Sequence, residues 1–179
     1  SRGAVPEFRR FIETLDAPVG STIMGGGACP GDHPLFTGMV GMHGSHASNM
    51  ATAECDLLIA VGCRFSDRVA LDPASFASQA KIVQIDIDRS EIDKNILTDH
   101  HIIGSAKRVL ELLNQRVPQY HRDAWKEQIL SLKREPEVET SQVLTPRQVL
   151  ETIRRLAAPH VMTLVTTHDF ELCALENDP

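Results

Sequence analysis

Two runs in the sequence leave few options for the fold. Leu57-Leu58-Ile59-Ala60-Val61-Gly62 is apolar without a break, and Lys81-Ile82-Val83-Gln84-Ile85-Asp86-Ile87 is apolar apart from its polar positions. A strand with one wet face would alternate; a short continuous run suits a strand covered on both faces, as in a parallel sheet. Helix-compatible stretches, Ala47 to Cys55 and Pro73 to Ala80, lie between the strands, and His101-Ile102-Ile103-Gly104 leads into a helix carrying Ala106, Val109, Leu110 and Leu113 on one stripe. Upstream, Phe8, Phe11, Ile12 and Leu15 fall at i, i+3, i+4 and i+7 of an amphipathic helix, and Pro18 to Met24 reads as a short strand ending in Gly25-Gly26-Gly27. This alternation predicts an α/β fold with a doubly wound, mostly parallel sheet, whose ligands bind beyond the C-terminal ends of the strands.

The character changes at Val117-Pro118. Residues 1–117 are read as the α/β domain and 118–143 as a surface helix (Tyr120 to Arg134, with Trp125, Ile129 and Leu132) followed by a polar linker. Residues 144–179 are read as the truncated start of a second domain. There, Thr145-Pro146-Arg147-Gln148 supplies an N-cap, a proline at the first helical position and a glutamine two residues later, a strong helix start, and Val161 to Val165 reads as a strand.

Of 179 residues, 42% are apolar and 23% charged, the balance of a soluble globular protein, and no apolar run approaches the roughly 20 residues that a bilayer crossing needs. With a net charge of −6, no Lys/Arg cluster, and only one Trp, one Tyr and six Phe, the chain offers neither an electrostatic footprint for a phosphate backbone nor base-stacking platforms. Neither nucleic acid nor membrane is an expected partner. Cys29, Cys55, Cys63 and Cys173 form no CxxC pair, and Ser1-Arg2-Gly3-Ala4 lacks the regions of a signal peptide, which predicts a reduced, cytoplasmic chain. Although His33, His43, His46, His100 and His101 accompany the cysteines, no complete zinc-ligand spacing occurs and no metal site is expected.

The chemistry-bearing residues lie at the strand ends. Gly62-Cys63-Arg64-Phe65-Ser66-Asp67-Arg68 joins a glycine, which gives backbone access, to two guanidinium forks that match phosphate oxygens. Ile85-Asp86-Ile87-Asp88 places a carboxylate where a doubly wound fold holds a ribose hydroxyl. The competing reading of Arg64, Asp67, Arg68 and Asp86 is a surface ion-pair network. In Val40-Gly41-Met42-His43-Gly44, two glycines bracket a soft apolar side chain and an imidazole, a loop able to pack against a flat ring. With no partner carboxylate or nucleophile in sequence reach, His43 is not read as an acid or base, and no catalytic residue is assigned. No GxGxxG, P-loop, GxSxG or HExxH pattern occurs.

Three segments in order, His33 to Gly44, Ala53 to Arg68 and Ile85 to Asp88, closely resemble the central domain of the acetolactate synthase (acetohydroxyacid synthase) large subunit. Leu144 to Gln148 and Leu164 to Thr167 are similar to the opening of that family's C-terminal, thiamine-diphosphate-binding domain. The resemblance implies part of a thiamine-diphosphate- and magnesium-dependent transferase of branched-chain amino-acid synthesis, which joins the two-carbon unit from pyruvate to a second 2-oxo acid. It further implies FAD held by the central domain without a redox part. The FAD contacts carried over by position are Thr22, Ile23, Val40, Gly41, Met42, His43, Gly62, Cys63, Arg64, Arg68, Val69, Asp86 and Ile87.

Implied partners are the other domains of a parent subunit, a homo-oligomer of the full-length enzyme, and a regulatory small subunit. Ser66 and Ser105 depart from acidic residues common in the family. Ser1 to Ala4 matches the segment just after the family's first central strand, and the thiamine-activating glutamate and the magnesium-binding Gly-Asp-Gly are not found, so the isolated chain is expected to be inactive. After Thr167 the chain departs from the family, and a native or a frame-shifted tail over His168 to Pro179 both stay open. The alternative to an enzyme segment is a non-catalytic nucleotide-binding or subunit-interaction module on the same sheet.

Overall fold

The stripe of Phe8, Phe11, Ile12 and Leu15 sits on helix α1 (Val5–Leu15) in the computed structural model of the chain, which describes residues 2–133 and 146–156. Pro6 occupies the first turn, where its missing N–H has no intrahelical partner to lose. The helix ends at Asp16, which adopts the left-handed conformation (φ 50°) and donates its N–H to the Ile12 carbonyl at 2.9 Å. Phe8 and Ile12 pack with Cys29, Val19 and Phe36, tying the helix to the strands that follow.

Those strands are β1 (Val19–Ser21), β2 (Phe36–Met39), β3 (Leu57–Val61), β4 (Lys81–Asp86) and β5 (His100–Ile103). β1 pairs with β2, β3 with β4 and β4 with β5, every ladder parallel, with Leu57 opposite Lys81 and Val83 opposite His100. Helix α2 (His46–Glu54) follows β2 and is capped by Ser45, whose hydroxyl accepts the Ser48 N–H. Helix α3 (Ala106–Asn114) follows β5 with Val109 and Leu110 buried, and α4 (Asp123–Ser131) closes the first compact unit, residues 1–134. The expected α/β architecture of parallel strands with crossover helices is thus observed. Helix α5 (Pro146–Leu156) belongs to the second unit, residues 135–179, and begins where the Pro146 signal places it. The strand read at Val161 to Val165 lies outside the described residues.

Two local expectations fail, and one strand was not anticipated. Pro73 to Ala80 is a series of turns and not a helix: the Asp72 carboxylate binds the Ala74 N–H, and Ala77 takes φ 48°, which a right-handed helix forbids. Pro18 to Met24 is a strand only over Val19–Ser21, because the Thr22 hydroxyl accepts the Gly25 N–H and winds Ile23–Gly25 into a 3₁₀ turn. Phe36–Met39 is a strand that its mixed composition conceals. Its buried Thr37 is satisfied by Ser48 Oγ at 2.6 Å and by the Val19 carbonyl at 3.1 Å, so a polar residue sits in a buried strand without penalty.

The charged stretch Tyr120 to Arg134 is only partly a surface helix. Ile129 is fully buried, and α4 is tied to the end of α1 by Lys126, whose Nζ lies 2.7–2.8 Å from both Asp16 oxygens and 3.0 Å from Asp123. Asp16 also accepts the Arg122 N–H at 3.0 Å.

The run Leu57–Val61 is less covered than its composition demands: Leu57 is 44% exposed, and Ile59 and Val61 are only half-buried. β3 is an edge strand. Asp56 C=O and Gly62 N–H bond to β4, so by the alternation of a parallel ladder the backbone groups of Leu57, Ile59 and Val61 point the other way. On that side lies a cavity of about 270 Å³ whose opposite wall is β1, equally unpaired on this flank.

The tie between α1 and α4 carries a pH prediction. Lys126, and then the Arg122 N–H, hold the Asp16 carboxyl below the usual carboxylate range; Asp16, and then Asp123, hold the Lys126 ammonium above the usual lysine range. The Asp16 contribution is present above the unfolded carboxylate pKa and is lost as pH falls through the lower folded value. The Lys126 contribution is present below the unfolded lysine pKa and is lost as pH rises through the higher folded value. Amide exchange across Asp123–Ser131, normalised for intrinsic rates, should be slowest between these limits and faster below about pH 4. Asp16→Asn should remove the acid-side change, and an unaltered profile in that variant would exclude the pair as its cause.

Candidate functional site

Parallel pairing puts the C-terminal ends of the strands in each ladder on one edge, and the loops leaving them touch in series. The Ser21 carbonyl accepts the Val40 N–H at 2.8 Å, bringing Thr22 and Ile23 beside the glycine loop. The Met42 N–H donates to the Arg68 carbonyl at 2.9 Å, joining the glycine loop to the arginine loop. The Gly62 N–H donates to the Ile85 carbonyl at 2.8 Å, joining the arginine loop to the end of β4, where Asp86 and Ile87 follow. Thr22, Ile23, Val40 to His43, Gly62 to Arg64, Arg68, Val69, Asp86 and Ile87 therefore lie along one continuous band of loops.

The close approach at Gly41 depends on the missing side chain. Its φ is +108°, and a Cβ would run into the Arg68 carbonyl and the Val69 Cα. Asn49, on α2, clamps the same residue through both of its flanking peptides: its Oδ1 accepts the Gly41 N–H at 2.9 Å and its Nδ2 donates to the Gly41 carbonyl at 3.0 Å. In the arginine loop Phe65 adopts φ 49° with its ring buried edge-on against Phe76, centroids 5.7 Å apart, among Ala60, Ala70, Ala77, Ile82 and Ile96. Gln84 Nε2 donates to the Cys63 carbonyl at 3.0 Å, and Asn95 Nδ2 to the Arg64 carbonyl at 3.0 Å.

The side chains of the band divide into polar and apolar. Among the described residues no carboxylate pairs with the Arg64 guanidinium. Arg68 meets Asp67 only at 4.0 Å, with both side chains largely exposed, and its Nη1 lies 3.4 Å from Met42 Sδ. The surface ion-pair network that the sequence left open reduces to that single loose contact. One Asp86 oxygen accepts the Asp88 N–H at 3.0 Å, a local turn that sets the direction of the carboxylate. Burial, with a smaller push from Asp86, raises the Cys63 thiol, so Cys63 brings no charge to the site. Ile23 and Ile87 are 79% and 74% exposed, and Met42 is more covered but still open to solvent. Among the described residues no group of His, Cys, Asp and Glu is placed to hold a metal ion, and no helix is long and apolar enough to cross a membrane.

Residues 1–113 match the family described as thiamine pyrophosphate enzyme, central domain. The chain belongs to that family. It is 51% identical over 135 residues to the probable acetolactate synthase large subunit of Methanocaldococcus jannaschii, covering 74% of this chain and 23% of that protein. Against the acetolactate synthase large subunit of Lactococcus lactis subsp. lactis it is 46% identical over 113 residues, 63% of this chain and 20% of the relative. Against the acetolactate synthase isozyme 2 large subunit of Escherichia coli it is 40% identical over 134 residues, 74% and 24% respectively. The chain thus spans between a fifth and a quarter of the length of these curated relatives. The resemblance carried by the strand-end motifs is borne out by the names of these relatives.

Within this central domain, the sequence motifs gave the loops but not the three amides that hold them. Asn49 sits on a helix whose pattern carries no sign of such a role, whereas Gln84 did leave a signal, a polar residue inside an otherwise apolar strand. The glycine contact yields a direct test: Gly41→Ala should destabilise the domain by about 2 kcal/mol or more, since it combines a left-handed backbone with a backbone collision. Chemical denaturation measures this, and a loss below the usual cost of a surface substitution would mean that the two loops move apart freely.

Proposed function

We propose that the chain is the central-domain segment of an acetolactate synthase large subunit, and that the loop band at its strand ends binds FAD. The carrying observation is Arg64, an exposed residue with no carboxylate paired to its guanidinium among the described residues, set in one band with Asp86 and with the open apolar side chains Ile23, Met42 and Ile87. FAD brings a diphosphate, ribose hydroxyls and a flat apolar ring. The residue types fit each: Arg64 and Arg68 for the diphosphate, Asp86 for a hydroxyl, and the glycine loop with Ile23 and Ile87 for ring and ribityl surface. In the reaction implied by the resemblance FAD has no redox part, so these residues bind and orient. Thiamine diphosphate and magnesium would be held by other domains of the full-length enzyme, which joins pyruvate to a second 2-oxo acid.

Arg64→Ala should weaken FAD binding by about 1.5–3 kcal/mol, the range for a hydrogen bond to a charged group, and Asp86→Ala by less because its bond stays partly solvated. Affinity should fall as salt rises. Fluorescence titration of FAD into the chain and the two variants measures all three effects. Equal affinities throughout would transfer the band to the second reading, a subunit contact, which the exposed Ile23, Met24 and Ile87 favour.

The flanks of β1 and β3 support the placement within a larger subunit. Two strands with unpaired edges lining one cavity form a slot for a further strand, and the family's first central strand, which the resemblance places in sequence just before the segment like Ser1 to Ala4, is the occupant that fits this reading. A chain preceded by the corresponding strand of the Methanocaldococcus jannaschii relative should show slowed amide exchange at Leu57, Ile59 and Val61 and tighter FAD binding. Unchanged exchange at those three amides would rule the slot out.

A further inference from the structure

We propose that Gln84, with Asn95, is a positioning residue that fixes the arginine loop for anion binding, an inference that rests on the FAD reading of that loop. Gln84 lies in the middle strand β4 and is fully buried. Both hydrogens of its amide are used: Nε2 donates to the Cys63 carbonyl at 3.0 Å in the loop after β3, and to the Glu91 carbonyl at 3.1 Å in the turn after β4. Its Oε1 is buried and has no partner among the described residues. An amide that leaves a buried acceptor unsatisfied is a costly choice in an apolar strand, where an aliphatic side chain would fill the same volume without that penalty. What the amide alone supplies is a two-pronged donor that holds two loop carbonyls at a fixed spacing.

Asn95 extends the same grip. It donates to the Arg64 carbonyl at 3.0 Å, and the next residue, Phe65, is anchored by its ring in the core despite a left-handed φ of 49°. Three consecutive residues, Cys63, Arg64 and Phe65, are thus each pinned from a different direction. The exposed Arg64 side chain springs from a backbone with little freedom left, so less conformational entropy remains to be lost when its guanidinium meets an anion.

The test compares Gln84→Met, which keeps the volume and deletes the donors, with Asn95→Ala at an exposed site that cannot unfold the core. In Gln84→Met, amide exchange of Gly62, Val69 and Ala70, whose N–H groups are bonded at the two ends of the loop, should quicken by about tenfold or more, and FAD affinity should fall about tenfold, as expected for losing a pair of neutral hydrogen bonds. Its logarithmic salt dependence should become shallower, as in Arg64→Ala, and adding Arg64→Ala to Gln84→Met should cost little more. Asn95→Ala should show the same pattern at smaller size. A fall in affinity with the salt slope unchanged would mark general damage and overturn the proposal, as would unchanged exchange across the loop. If the unmodified chain binds no FAD, the functional reading falls, and the exchange measurement still decides whether Gln84 and Asn95 fix the loop.

Discussion

The hydrogen bond from the Met42 N–H to the Arg68 carbonyl connects the two parallel ribbons at the edge formed by the C-terminal ends of their strands. Away from that edge, β1 and β3 face each other across a cavity and share no ladder. The geometry of the loop band therefore depends on a contact that only a glycine at position 41 permits, reinforced by the two hydrogen bonds of Asn49. Buried backbone groups must find partners, and here the partners come from loops and side-chain amides where a strand neighbour is lacking.

This pattern explains where the sequence was readable. Leu57–Val61 and Lys81–Asp86 were legible because short, mostly apolar runs suit strands covered on both faces, and α1 and α3 because their apolar stripes keep a helical period over about two turns. Phe36–Met39 was not, since its stability comes from Thr37 meeting Ser48, a contact between residues eleven apart that no local pattern encodes. Pro73 to Ala80 misled in the opposite sense. Its composition permits a helix, but Phe76 packs on Phe65 and Ala77 is buried in the same cluster, and tertiary packing of that kind overrides propensity.

The loops at the strand ends could be named in advance because charge and glycine content mark them. The supports behind them could not. Asn49 and Asn95 are ordinary polar residues by sequence, and only the fold reveals that each faces a loop carbonyl. Gln84 is the intermediate case, visible as an exception in an apolar run yet without a direction until the register of β3 against β4 places Cys63 beside it.

Cys63 adds a consequence of its own. Its thiol is half-buried, pushed up by desolvation, and attached to the loop that carries Arg64. A protonated, half-buried thiol is a poor nucleophile, so alkylation at Cys63 should quicken when the loop opens. The chain therefore carries an internal reporter of its own loop: thiol modification at Cys63, read apart from the other three cysteines, follows the exposure of that loop with no label to be introduced.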